Sequence, residues 1–190
     1  MGDIKAAKKA ARAIVLARRG REGNQVKARA AMKHAAALVR DSSVARVSLY
    51  AGFGDELDPM PLVCSLWRVG YDVGLPVVVA PRQPLIFRRY GRDIRWTLSG
   101  FGIREPADTV AEVVPDLVLA PLVGIDRRGV RLGYGGGFYD RTIAAWRAQG
   151  HRPAIFGLAF EAQLVSRLPQ DRYDVRLDGL VTEAGIRRFR

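Results

Sequence analysis

Cysteine and histidine are almost missing from this chain of 190 residues, which has one cysteine, Cys64, and two histidines, His34 and His151. A lone cysteine forms no intramolecular disulfide and no thiolate metal cluster. It lies in the apolar run Leu62-Val63-Cys64-Ser65-Leu66, where a buried, inert thiol is the favoured reading. The two histidines have no metal-ligand spacing, which argues against a His-based zinc site and against a Ser-His-Asp triad. Long hydrophobic runs are also lacking: none approaches the roughly 20 apolar residues that span a bilayer. Met1 to Arg19 carries scattered positive charge and no apolar segment with a cleavage site, so no signal peptide is read and a cytoplasmic location is expected.

Negative charge is the minority sign. Nineteen acidic against 31 basic residues give a net charge of +12. A field of that size attracts anions such as nucleotides, polycarboxylates or nucleic acid. Lysine is scarce among the basic residues (Lys5, Lys8, Lys9, Lys27 and Lys33 only), and an arginine-skewed GC-rich coding sequence would give the same charge without function. Both accounts stay open. Nucleic-acid binding finds little support, because no recognised RNA- or DNA-binding motif is present and the aromatics do not interleave with the basic residues.

Hydrophobic residues make up 48% of the chain, enough for a full core. Ala, Lys and Arg favour helices over Asp3–Arg19 and Asn24–Arg40, broken at Gly20-Arg21-Glu22-Gly23. Ile4, Ala7, Ala11, Ile14 and Val15 mark an expected apolar stripe on the first, and Lys8 and Arg12 share a face one turn apart. Further helices are expected over Pro59–Tyr71, Phe138–Gln149 and Glu161–Leu168. Strands are expected over Val44–Tyr50, Leu75–Ala80, Leu85–Arg89, Ile94–Leu98, Leu117–Leu122, Ala154–Ala159 and Val175–Val181, with Gly100–Asp108 a loop. Alternating strands and helices predict an α/β fold. The expected form is one three-layer domain over residues 1–190, with helices on both faces of a mostly parallel sheet and residues 1–41 as a helical segment packed on it.

Gly133-Tyr134-Gly135-Gly136-Gly137 places four glycines in five positions just before a predicted helix. Glycine permits positive φ and close backbone approach, and a helix start offers free N–H groups and a positive dipole end. Such a loop suits phosphate, although a plain tight turn is the alternative. It is not a P-loop, lacking Gly-Lys-Ser/Thr, and it does not match the dinucleotide fingerprint. Arg131 and Arg141 flank it and can each fork onto phosphate oxygens. Asp140, in the first helical turn, either complements the helix dipole or shares a Mg²⁺ with bound phosphates. Phe138 and Tyr139 serve the core, a planar ligand, or both.

The stretch Pro115-Asp116-Leu117-Val118-Leu119-Ala120-Pro121, then Asp126, Gly129 and Arg131-Leu132-Gly133-Tyr134-Gly135-Gly136-Gly137-Phe138-Tyr139-Asp140-Arg141, closely resembles the signature of the 5-formyltetrahydrofolate cyclo-ligase (methenyltetrahydrofolate synthetase) family. Lys8-Lys9-Ala10-Ala11-Arg12, Asp55-Glu56, Leu75 to Pro81, Phe101-Gly102-Ile103-Arg104-Glu105-Pro106, Ala159 to Gln163, Leu168-Pro169, Asp174 and Asp178 to Glu183 are similar to further family segments in the same order. One departure is Gly124-Ile125, where the family usually carries Ala-Phe.

The resemblance implies an isomerase/CoA-transferase-like fold and cyclisation of 5-formyltetrahydrofolate, with or without a polyglutamate tail, to 5,10-methenyltetrahydrofolate. ATP and Mg²⁺ are the implied cofactors, and a phosphorylated formyl group the implied intermediate. On matching positions it implies an ATP set of Lys8, Lys9, Arg12, Arg131, Leu132, Gly133, Tyr134, Gly135, Gly136, Gly137, Phe138 and Tyr139. It implies a folate set of Ala51, Glu56, Phe101, Tyr134, Gly136 and Phe138. Asp140 and Asp174 are the implied metal pair, with Arg131 and Tyr139 at the reacting atoms. No nucleic-acid or membrane partner is expected, and the chain would be a monomer or small homo-oligomer. A divergent relative using the same ATP site on another substrate is the competing reading.

Overall fold

The computed structural model describes residues 2–100 and 102–189. Two helices come first, α1 (Gly2–Glu22) and α2 (Gln25–Asp41). The break falls at Gly23, three residues later than Gly20. A Cβ at Gly23 would lie 2.8 Å from the Phe160 ring and 2.9 Å from the Arg19 carbonyl oxygen, so only glycine lets the chain turn there. Asn24 then caps α2, its side chain accepting from the Lys27 amide at 3.0 Å.

The chain continues through β1 (Arg46–Ser48), α3 (Met60–Arg68), β2 (Asp72–Val77), β3 (Ile86–Arg89), β4 (Trp96–Leu98), β5 (Arg104–Pro106), β6 (Leu117–Ala120), β7 (Gly124–Asp126) and β8 (Arg131–Leu132). It closes with α4 (Phe138–Ala148), β9 (Ala154–Leu158), a single 3-10 turn (Glu161–Gln163), β10 (Leu164–Val165), β11 (Gly179–Thr182) and β12 (Gly185–Arg188). The main sheet runs β12-β11-β9-β6-β1-β2-β3. Its five inner strands are parallel, and β12 and β3 pair antiparallel at the two edges.

Alternation along the inner strands builds two cores. Leu117 and Leu119 of β6 pack with Val47, Leu75 and Phe156 under α2 and α3. Val118 and Ala120 point the other way, to Ile155, Leu180 and the Tyr139 and Ile143 face of α4. Helices therefore cover both faces, as the alternating pattern predicts. β1 has β2 on one side and β6 on the other, so chain order reverses there. Ligands of open α/β sheets bind beyond the strand ends at such a point.

Several expected elements differ. The loop expected over Gly100–Asp108 contains β5, which pairs with β4 as a hairpin outside the main sheet. The helix expected over Glu161–Leu168 shrinks to one 3-10 turn, because Leu164 and Val165 pair with Ile125 and Asp126 instead. The last strand starts at Gly179, not Val175, and β7, β8 and β12 go unpredicted: each is two to four residues long, too short for a period to emerge.

The expected stripe on α1 is also rotated. Ile14 is 63% exposed and Ala7 is exposed, while Val15 is buried. The inward face is Ile4, Lys8, Ala11, Arg12, Val15 and Arg19, at helical spacing. It carries three basic residues because it lies partly over a polar cleft, while Ala11 packs on the small cluster of Val130, Leu132 and Leu168 and Val15 is buried.

Candidate functional site

The site begins with a buried carboxylate. Asp126 ends β7 with no exposed surface. Its side chain accepts from the amides of Arg128 (2.8 Å), Val130 (3.1 Å) and Leu168 (3.0 Å) and from the Arg128 guanidinium (2.7 and 3.0 Å). Burial works to raise its pKa. Those amides and the guanidinium outweigh burial and hold the carboxyl below its usual range. Asp126 so fixes the β7–β8 turn, which closes at Gly129 with φ +78°. β8 then delivers Arg131 and Leu132 to the cleft, both buried.

The Arg131 guanidinium donates to Asp140 at 2.9 Å and lies 5.4 Å from the centre of the Tyr139 ring. Gly133 makes room for it: a Cβ there would stand 2.9 Å from an Arg131 Nη. Gly135 and Gly137 adopt φ +109° and +66°. Gly137 is the N-cap of α4 and brings no side chain to its first amides, so the helix start is open toward the cleft. Tyr134, Gly135 and Gly136 are exposed around it.

Arg12 and Lys8 reach in from α1. The Arg12 Nε donates to the Gly133 carbonyl at 2.7 Å, and an Arg12 Nη lies 3.5 Å from where a Cβ of Gly135 would be. Lys8 Nζ donates to both oxygens of Asp174 (2.6 and 2.7 Å) and to Asp171 (2.7 Å). Burial disfavours that ammonium, yet the two carboxylates hold its pKa above the ordinary value. Asp140 accepts from the Val175 amide at 3.2 Å, which ties it to the Asp174 segment. Lys9 stands on the exposed flank of α1. Arg141 donates to the Gly136 carbonyl at 2.6 Å and stacks 5.2 Å from the Phe138 ring centre, bracing the loop from outside.

Across the cleft lies the loop after β1. The Glu56 carboxylate accepts from the Phe53 amide at 3.0 Å. Burial raises its pKa, against the pull of that amide and of the Tyr134 hydroxyl. Ala51, Gly52, Phe53 and Asp58 line a space of about 340 Å³ closed on its far side by Trp96 and Arg104 of the β4–β5 hairpin. Phe101 lies outside the described residues. Tyr139 is buried beneath the cleft, and its hydroxyl has no hydrogen-bond partner among the described residues. Burial pushes that hydroxyl well above the ordinary tyrosine range.

The Gly124-Ile125 pair lies against α1: a Cβ at Gly124 would make ordinary contact, 3.4 Å, with both methyls of Val15, so the space there does not demand glycine. Ile125 is fully buried in the cluster beneath Tyr139.

The fold thus gathers Lys8, Arg12, Arg131, Tyr134, Tyr139, Asp140 and Asp174 about one loop, with Glu56 across the cleft and Ala51 lining the space beside the β4–β5 hairpin. Two participants escape the sequence reading. Asp171 lies three residues before Asp174 in a segment without regular structure. Arg19 follows Arg12 by seven residues, and that helical spacing was its one available signal.

The 5-formyltetrahydrofolate cyclo-ligase family model matches residues 4–183. A 5-formyltetrahydrofolate cyclo-ligase of Haemophilus influenzae is 38% identical over 150 residues, covering 76% of this chain and 79% of that protein. One from Escherichia coli is 37% identical over 145 residues, covering 74% and 79%. Among solved structures, the 5,10-methenyltetrahydrofolate synthetase of Aquifex aeolicus superposes with a TM-score of 0.80 at 28% identity, covering 96% of this chain and 93% of its own. Sequence, motif order and fold agree that the chain belongs to the 5-formyltetrahydrofolate cyclo-ligase family.

Proposed function

We propose that this chain cyclises 5-formyltetrahydrofolate to 5,10-methenyltetrahydrofolate using ATP and Mg²⁺. The observation that carries the reading is the convergence of Lys8, Arg12 and Arg131 with Asp140 and Asp174 on a glycine loop, opposite Glu56.

The residues fit the cofactors. Gly135 and Gly137 leave the loop amides uncovered, and the buried Arg131 Nε has no partner among the described residues. Among those residues no group of three or more His, Cys, Asp or Glu side chains could hold a metal ion. Asp140 and Asp174 would hold Mg²⁺ as a carboxylate pair, which would neutralise charge on the nucleotide phosphates.

When bound, the Mg²⁺-nucleotide supplies a phosphoryl group to the formyl oxygen; N10 then attacks the activated carbon, and that oxygen departs with phosphate as the ring closes. The protein's part is positioning and charge neutralisation. Arg131 and the amides of Gly135 to Gly137 hold phosphate oxygens. Lys8 and Arg12 would neutralise phosphate charge from α1. Glu56 accepts from the amide-like donor edge of the pterin. Ala51, Tyr134 and Phe138 flank the folate, and Tyr139 packs beneath the reacting atoms with its hydroxyl free to bond the formyl oxygen or a phosphate oxygen. A cytoplasmic location follows from this substrate; no helix among the described residues is long and apolar enough to cross a membrane.

The test is a single assay of purified protein with ATP, Mg²⁺ and 5-formyltetrahydrofolate, following the near-ultraviolet absorbance of the methenyl product. A rise that needs all three components is expected. No rise with intact nucleotide binding would move the assignment to a different second substrate.

A further inference from the structure

Arg19 is the most buried charged side chain of α1, 3% exposed. Both of its terminal nitrogens donate to the Tyr134 hydroxyl at 3.1 Å, and one also pairs with the Asp55 carboxylate. Tyr134 belongs to the glycine loop and Asp55 to the loop that carries Glu56. One guanidinium therefore bridges the two walls of the cleft.

The bridge has a direction. The Tyr134 oxygen accepts from Arg19, which leaves its proton for an acceptor, and the Glu56 carboxylate bears electrostatically on that phenol. Arg19 thus fixes the phenol of one wall and, on the other, the carboxylate of Asp55, the residue next to Glu56. The charged and titratable groups facing this cluster are Asp55, Asp58, Tyr50 and Tyr139. Arg19 is the cation set among these acidic and phenolic groups. Lysine would not reproduce this arrangement, because its ammonium lacks the planar fork that lays two N–H groups on the phenol oxygen while also pairing with the carboxylate.

We propose that Arg19 is a positioning residue that, through Tyr134 on one side and Asp55 on the other, couples the folate wall of the cleft to the nucleotide wall; this rests on the function proposed above. Either substrate, by ordering its own wall, orders the shared junction for the other. Nucleotide then tightens folate binding, and by linkage folate tightens nucleotide binding by the same factor. A side chain that merely fills space or balances charge would have no such effect.

The experiment is calorimetric titration of 5-formyltetrahydrofolate into wild type, Arg19→Lys and Tyr134→Phe. Each is titrated with and without a non-hydrolysable ATP analogue and Mg²⁺, with thermal melts as a check of folding. Wild type should bind folate at least about 5-fold tighter with the analogue present, the lower end of ordinary allosteric coupling. In both variants that ratio should fall toward one, with folate affinity down about 5- to 10-fold, the loss of one hydrogen bond to a charged group. Analogue affinity without folate should be unchanged in Arg19→Lys. Should Arg19→Lys fail to fold, Tyr134→Phe, a change at a half-exposed position, decides the matter alone. Folded variants that keep the wild-type ratio overturn the inference, as does a wild type that binds both ligands without coupling; the proposed function survives either result. A wild type that binds no folate removes the proposed function and the inference together.

Discussion

The two walls of the cleft are built differently. The proposed nucleotide wall is centred on ten consecutive residues, Arg131 to Asp140, braced by partners close in sequence, Arg131 with Asp140 and Arg141 with Gly136, and Arg12 of α1 joins it at the Gly133 carbonyl. It stands on Asp126, whose carboxylate stitches the hairpin below it. The folate wall is a loop tied mainly to itself, through Phe53 with Glu56, Asp58 with Met60, and Tyr50 with the Leu57 carbonyl. Its tie to the other wall, Arg19, lies 36 residues from Asp55. A contiguous wall holds charges rigidly at fixed points, as phosphoryl transfer requires. The self-contained wall can shift as a unit and needs an outside residue to set its register.

If the division is right, damage to one wall shows in one kinetic constant. Asp140→Asn should lower kcat by about 100-fold or more, the scale of losing one preorganised electrostatic group, while leaving the KM for folate nearly unchanged. Steady-state kinetics at saturating Mg²⁺ decide; an intact kcat would remove Asp140 from the metal pair. Beneath the same wall, Asp126→Ala should cost about 3 kcal/mol in urea unfolding, since several buried donors lose their acceptor. Its pKa is depressed in the fold, so the unfolded chain binds that proton more tightly. The stability it contributes is present above about pH 4, the unfolded carboxylate value, and is lost as pH falls through the lower folded value. Flat stability across that acid range would contradict the role.

On the folate wall, Glu56→Gln should reduce kcat/KM for folate by about 10- to 30-fold, one charge-assisted hydrogen bond, and spare nucleotide binding. Because burial raises the Glu56 pKa, its ionised form is lost at a higher pH than for an exposed glutamate. The acid limb of the wild-type pH profile should therefore lie above the ordinary glutamate range and vanish in the variant. The smallest effect is common to both walls. If the +12 charge steers its anionic substrates, kcat/KM should fall a few-fold between about 50 and 300 mM salt, as screening shortens the field. Salt indifference would leave arginine-rich coding as the account of that charge.

The same contrast explains what the sequence reveals. The inner strands, α4 and the glycine loop are local patterns, so their positions can be read within a few residues. Lys8 and Arg12 stand out as a one-turn pair. The exposed Ile14 and buried Arg19 do not, because periodicity assumes that a buried face is apolar and α1 faces a polar cleft. Asp171 and the β7–β8 hairpin depend on partners distant in sequence. Ile125 replaces an aromatic where the surrounding core decides what fits.

The central claim, that the formyl oxygen is activated by phosphoryl transfer at the glycine loop, has a direct isotopic test. Turnover of 5-formyltetrahydrofolate carrying ¹⁸O in the formyl group should place one labelled oxygen in the released inorganic phosphate, read by mass spectrometry. Methenyl product accompanied by unlabelled phosphate would contradict the account, because ATP hydrolysis would then bypass the formyl group.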